Sequence, residues 1–167
     1  MTLQEQKAEL PAEGGCTCRF VRYRMKTAPL FVHCCHCTWC QRETGSAFAL
    51  NAMIETSRVE VLSGEPETVL TPSDSGNGQH IVRCPHCRVA VWSHYAGAGK
   101  RAAFVRVGTL DSPNSCPPDV HIFTESKQTW VQIAEGARAF PAFYDRTQEW
   151  PAASLARREV LMSESND

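Results

Sequence analysis

Eight consecutive residues, His33 to Cys40 (HCCHCTWC), contain four cysteines and two histidines. Two further clusters lie elsewhere in the chain: Cys16 and Cys18 in CTC, and Cys84 and Cys87 in CPHC. Thiolates are nucleophiles and metal ligands, so such clusters could hold a metal, close disulfides or act as a redox pair. Residues two apart on a strand project from the same face, and CxC therefore presents two sulfurs side by side. A tight turn in CxxC brings two sulfurs close enough to share one ion at about 2.3 Å each. Cys16, Cys18, Cys35, Cys37, Cys40, Cys84 and Cys87 thus supply one closed site of four ligands and one site of three with an open position. The first is the pattern of structural zinc and the second that of catalytic zinc. Spacing alone leaves the grouping open: CTWC could join CPHC, as in a zinc ribbon, or CTC could join CPHC and leave CHCTWC intact.

The alternatives to metal are weaker. An odd count of nine cysteines cannot pair completely within one chain. The CxxC of Cys37 and Cys40 lies in a strand-rich region without the βαβ setting of dithiol redox motifs. The N-terminus, MTLQEQKAELPAEGG, is polar, and no segment approaches the ~18 apolar residues that span a bilayer. These features predict a cytoplasmic protein with no membrane partner. A net charge of -1, with seventeen scattered Lys and Arg, argues against nucleic acid as a partner.

The elements that must position the cysteines are short strands. Runs rich in β-branched and aromatic residues recur: RFVRYRM, LFVHC, FALNAMI, RVEVL, ETVL, HIVRC, RVAVWSHY, AAFVRVGTL, DVHIFTE and QTWVQI. Turn-forming segments such as SGEP, TPSDSGNG and AGAGK bound them. The pattern predicts an all-β domain of antiparallel sheets. Residues 1–13 read as a polar tail, 14–151 as one zinc-binding domain, and 152–167 as a short helix fading into a polar end.

GGCTCRFVRY, VHCCHCTWCQRETGSAF, CPHC, VGTLDSP and PPDVHIFTESKQTWV, in that order, resemble the glutathione-dependent formaldehyde-activating enzyme family, also called the GFA or centromere protein V domain. The resemblance implies an all-β, Mss4-like fold and two zinc ions per chain. It implies a structural zinc on Cys16, Cys18, Cys84 and Cys87, and a catalytic zinc on Cys35, Cys37 and Cys40. The implied reaction is that of a carbon-sulfur lyase: a thiol such as glutathione adds to an aldehyde such as formaldehyde, or the adduct is cleaved. A homodimer is compatible with this reading. Arg19 stands where the family usually has glycine, which predicts a different local turn.

Strand parity adds detail around the open site. His33 shares the parity of Cys35 and Cys37, whereas Cys34 and His36 point the other way. Candidates for proton transfer are His33, His36 and His121, since imidazole titrates near neutrality, and His121, in the family-like segment PPDVHIF, is the first choice. Arg42 could neutralise a substrate carboxylate or pair with Glu43. Trp39 is expected to shield the metal from water, and Trp92 and Trp130 to lie in the core.

Overall fold

A computed structural model describes residues 11–163. Two sheets carry the architecture. The smaller contains β1 (Ala12–Gly15), β2 (Arg22–Met25) and β5 (Val59–Ser63) in the order β1-β2-β5, all antiparallel. The larger is built from β3 (Phe31–Cys35), β4 (Ala49–Glu55), β6 (Glu67–Thr71), β7 (Gln79–Arg83), β8 (Ala90–Tyr95), β9 (Ala102–Arg106) and β10 (Val120–Ile122). Its order is β10-β3-β4-β9-β8-β7-β6. The all-β expectation holds with one refinement: β10 runs parallel to β3, so the large sheet is mixed.

At β3 both faces of the large sheet are covered: all five residues of FVHCC are buried. Val32, with Ala52 and Ile54 of β4, faces a core shared with Tyr23 and Met25 of the small sheet. Phe31 and Cys35, with Met53, face a second core completed by Tyr144, Trp150 and Leu161 from the C-terminal segment. That segment carries α2 (Arg146–Glu149) and α3 (Ala152–Ser163). A continuously buried strand of this kind places neighbouring side chains in two different environments, which is why adjacent cysteines can serve different ends.

Some elements depart from expectation. Residues 1–10 of the expected tail lie outside the described residues, but Ala12 and Glu13 already pair with Met25 and Arg24 in β1. QTWVQI is not a strand: Val131 N–H bonds the Gln128 carbonyl, and Lys127 Nζ donates to the carbonyls of Gln128 and Val131. Its backbone is satisfied locally, and Trp130 is 69 % exposed rather than core. Trp92 is buried, as expected.

CTWCQRET forms α1 (Thr38–Thr44), a seven-residue helix capped by Cys37 at its start and by Gly45 in the left-handed region at φ 64° at its end. Glycine reaches that conformation without steric cost. Gly14 serves a different need. A Cβ there would stand 2.5 Å from the Thr109 carbonyl oxygen, so only glycine lets β1 approach this segment beside the first cysteine pair.

Candidate metal centres and the cavity

Two turns of matching design bring the first four cysteines together. Arg19 N–H bonds the Cys16 carbonyl at 3.0 Å, and Arg88 N–H bonds the Cys84 carbonyl at 3.0 Å. Arg19 and Arg88 each follow the second cysteine of their pair, and both are left-handed, with φ 64° and 65°. The turn that glycine would favour is therefore kept at Arg19, with a conformational cost of about 1 kcal/mol.

Within this quartet Cys16 and Cys18 Sγ are 3.5 Å apart, Cys18 and Cys84 Sγ are 3.6 Å apart, and all four sulfurs lie within 4.8 Å of one another. Four sulfurs at about 2.3 Å from one ion in a tetrahedron stand about 3.8 Å from each other. The donor set therefore fits zinc. Backbone N–H groups already favour thiolate: those of Cys18 and Val89 hold Cys87 down to about 6. Val21 N–H donates to Cys16 Sγ at 3.3 Å.

Cys35, Cys37 and Cys40 form a second group whose sulfurs all lie within 4.8 Å. Cys35 ends β3, Cys37 caps α1, and Cys40 lies one turn into that helix, where its N–H donates to Cys37 Sγ at 3.3 Å. Hydrogen bonds from the Cys35 and Cys40 thiols, then the N–H groups of Cys40 and Trp39, drive Cys37 far down, to about 2. Cys35 moves up, chiefly through its bonds with Cys37 and Cys40. One thiolate is thus shared by two thiols, a set that a cation would deprotonate completely. No fourth cysteine, histidine or carboxylate joins the three among the described residues.

The trio opens into a cavity of about 380 Å³. His33 lines it on the parity expected. Trp150 Nε1–H donates to Tyr144 Oη at 2.7 Å, and Tyr144 Oη lies 2.7 Å from His33 Nε2. With Tyr144 Oη–H donating to Nε2, the neutral His33 ring carries its proton on Nδ1, which is buried and has no protein partner. Burial, then the charge of Arg146, lowers His33 to about 4, so the ring is neutral at neutral pH.

His121 does not line this cavity. β10 pairs in parallel register with β3, His121 opposite Cys34 and Ile122 opposite Cys35. Residues in register share a face, so His121 joins Cys34 and His36 on the reverse side, with its Nδ1 3.0 Å from His36 Nε2. The expected proton-transfer residue His121 thus lies on the face away from the cavity, whereas His33 lines it and Tyr144 bonds His33 from behind. Arg42 is exposed and also lies away from the cavity.

The cation beside the trio is Arg106, which the sequence did not single out. Its Nη1 donates to Asn51 Oδ1 at 2.6 Å, and its Nη2 to Glu43 Oε2 at 3.0 Å. Glu43 also pairs with Arg83, which ties α1 to β7 and β9. The Glu43 and Arg106 side chains are only 8 % and 9 % exposed. Glu43→Gln would leave two guanidiniums without their counter-charge. Its expected cost is about 3 kcal/mol in chemical denaturation; an unchanged midpoint would show that the network adds nothing to stability.

The family model of the glutathione-dependent formaldehyde-activating enzyme matches residues 11–126, which include all seven clustered cysteines. The chain belongs to this family. The mostly β architecture agrees with the family's all-β fold. No curated protein matches the chain. A crystal structure of a Rhodobacter sphaeroides protein, a structural genomics target, is similar at 19% identity, with 59% of this chain and 87% of that chain covered and a TM-score of 0.45. The segment matched by the glutathione-dependent formaldehyde-activating family ends at Ser126, so Phe143, Arg146, Trp150 and Arg158 on the cavity wall come from beyond it. Among the described residues no helix is long and apolar enough to cross a membrane.

Proposed function

We propose that this protein is a zinc-dependent carbon-sulfur lyase that forms or cleaves the adduct between a small thiol of the glutathione type and a small aldehyde of the formaldehyde type. The observation that carries this reading is the convergence of Cys35, Cys37 and Cys40 at a cavity, with no fourth protein ligand among the described residues. Cys16, Cys18, Cys84 and Cys87 would hold a structural zinc, and Cys35, Cys37 and Cys40 a catalytic one, giving two per chain. Zinc bound by the trio would supply a Lewis acid that stabilises an incoming thiolate and polarises an aldehyde oxygen. Clustered thiols suit a reducing compartment, which supports a cytoplasmic location.

The chain's own residues supply the rest. In the synthetic direction a sulfur-carbon bond forms, the carbonyl π bond breaks, and the thiol proton ends on the former aldehyde oxygen. His33 Nδ1 can hold a proton at the cavity wall, and Tyr144 and Trp150 fix the ring that carries it. Phe104, Phe123, Phe143 and Trp150 give the cavity an aromatic wall that displaces water from the reacting groups. Trp39, which also lines the cavity, is placed to screen the trio.

The test is the rate of adduct formation between glutathione and formaldehyde with zinc-replete protein, followed by NMR against the uncatalysed reaction. Acceleration that scales with protein concentration is expected. No acceleration with this pair, nor with a panel of other small thiols and aldehydes, would overturn the reading and leave a zinc-stabilised binding module.

A further inference from the structure

The C-terminal segment brings two cations into the cavity, and among the described residues neither has an ionic or hydrogen-bonding partner. Arg146 opens α2 and Arg158 lies on α3, and both line the same cavity as the cysteine trio. Among the described residues no carboxylate comes within 4.0 Å of either guanidinium, and neither donates a hydrogen bond. The Nε of each is shielded from solvent and unpartnered.

The carboxylates nearby are otherwise placed. Glu43 is engaged by Arg83 and Arg106. Asp145 accepts from Thr147 N–H and Oγ1 as the cap of α2. Asp74 reaches the cavity from the loop between β6 and β7, beyond ion-pairing distance of both arginines. Arg146 instead lies over the rings of Trp150 and Phe143, 5.3 Å and 6.0 Å from their centroids. Arg158 is pushed below the usual guanidinium range by burial and by the charge of Arg146. Two like charges lining one cavity, half-buried and with their donors unused, are stabilised by an anion between or beside them.

We propose that Arg146 and Arg158 form a carboxylate subsite in the cavity, so that the thiol or thiol adduct this protein acts on carries an acid group. Guanidinium forks match carboxylate geometry with paired, charge-assisted hydrogen bonds. The aromatic wall receives the apolar part of the same molecule. The assignment of this subsite to substrate rests on the lyase reading, whereas the preference for a carboxylate does not. Both arginines lie after Ser126, so the subsite belongs to this chain's own C-terminal segment and not to the stretch matched by the family.

Two isosteric thioethers separate charge from shape: 3-(methylthio)propanoate and 3-(methylthio)propanamide. Neither has a thiol, so no reaction accompanies binding. With the full chain as purified, tryptophan fluorescence or calorimetry should show the acid binding at least about tenfold more tightly than the amide. Arg146→Gln and Arg158→Gln should each weaken the acid about tenfold, leave the amide within about twofold, and together abolish the preference. Arg158→Lys, which keeps the charge without the fork, should fall between. The preference should persist in Cys37→Ser, because the arginines hold the acid.

Equal binding of acid and amide to the wild-type protein would overturn the subsite, as would a preference that survives the double variant or disappears in Cys37→Ser. The two readings fail separately. An intact preference in a protein that turns over no adduct sinks the lyase and leaves the subsite; turnover without any preference does the reverse.

Discussion

Cys84→Ser is expected to yield little soluble, folded protein. Cys84 is fully buried, and its sulfur joins the turn between β7 and β8 to the one between β1 and β2. The same residue belongs to the core between the sheets, with Tyr23, Val91 and Trp92. Serine there would strand three sulfurs and bury a hydroxyl in a thiol's place. The free energy of a structural zinc is folding free energy, about 10–16 kcal/mol in small metal-folded peptides, against about 5–15 kcal/mol for the total stability of a domain. Soluble yield and thermal melting by circular dichroism provide the check. A stable Cys84→Ser chain with full zinc content would sink the grouping of the quartet.

Cys37→Ser is expected to behave in the opposite way, folding normally and losing turnover. Cys37 sits at the N-cap of α1, and serine is among the best N-cap residues, so the helix start is retained. The sulfur it removes is the one on which the thiolate of the trio resides. Losing the ion held by that trio forfeits several kcal/mol of transition-state stabilisation, or about a thousandfold in turnover of a thiol-aldehyde adduct. Turnover within a few-fold of wild type would place the chemistry elsewhere in the molecule.

The contrast between these variants reflects what was legible in the residues. Metal ligation imposes short, fixed spacings, so the cysteine clusters stood out and converge in space as two groups. The alternating and β-branched runs likewise pointed to strands such as β4 and β9. Helix α1 was hidden because it buries none of its residues fully and has a cysteine for a cap, leaving neither apolar periodicity nor the usual start signal. QTWVQI has strand-like composition but no neighbouring strand, and composition alone cannot supply a partner.

The cavity was the least legible part. His33 could be placed by parity within its own strand, whereas His121 depended on the register of a parallel neighbour, which no local pattern encodes. Tyr144, Arg146, Trp150 and Arg158 come from the C-terminal segment around α2 and α3, and they meet the cysteine trio only through tertiary packing. Arg106 reads in sequence as one more charged residue on a strand. Its role follows from standing opposite Asn51 and next to Glu43 in the fold.

The central claim is that two separate cysteine groups each hold their own ion and that one of them is open for chemistry. Zinc content per chain, measured on protein purified without chelators, tests this most directly. Two zincs per wild-type chain and one per Cys37→Ser chain are the expected values. One zinc per wild-type chain, not raised by added zinc, would contradict the account, because Cys35, Cys37 and Cys40 would then hold no ion of their own.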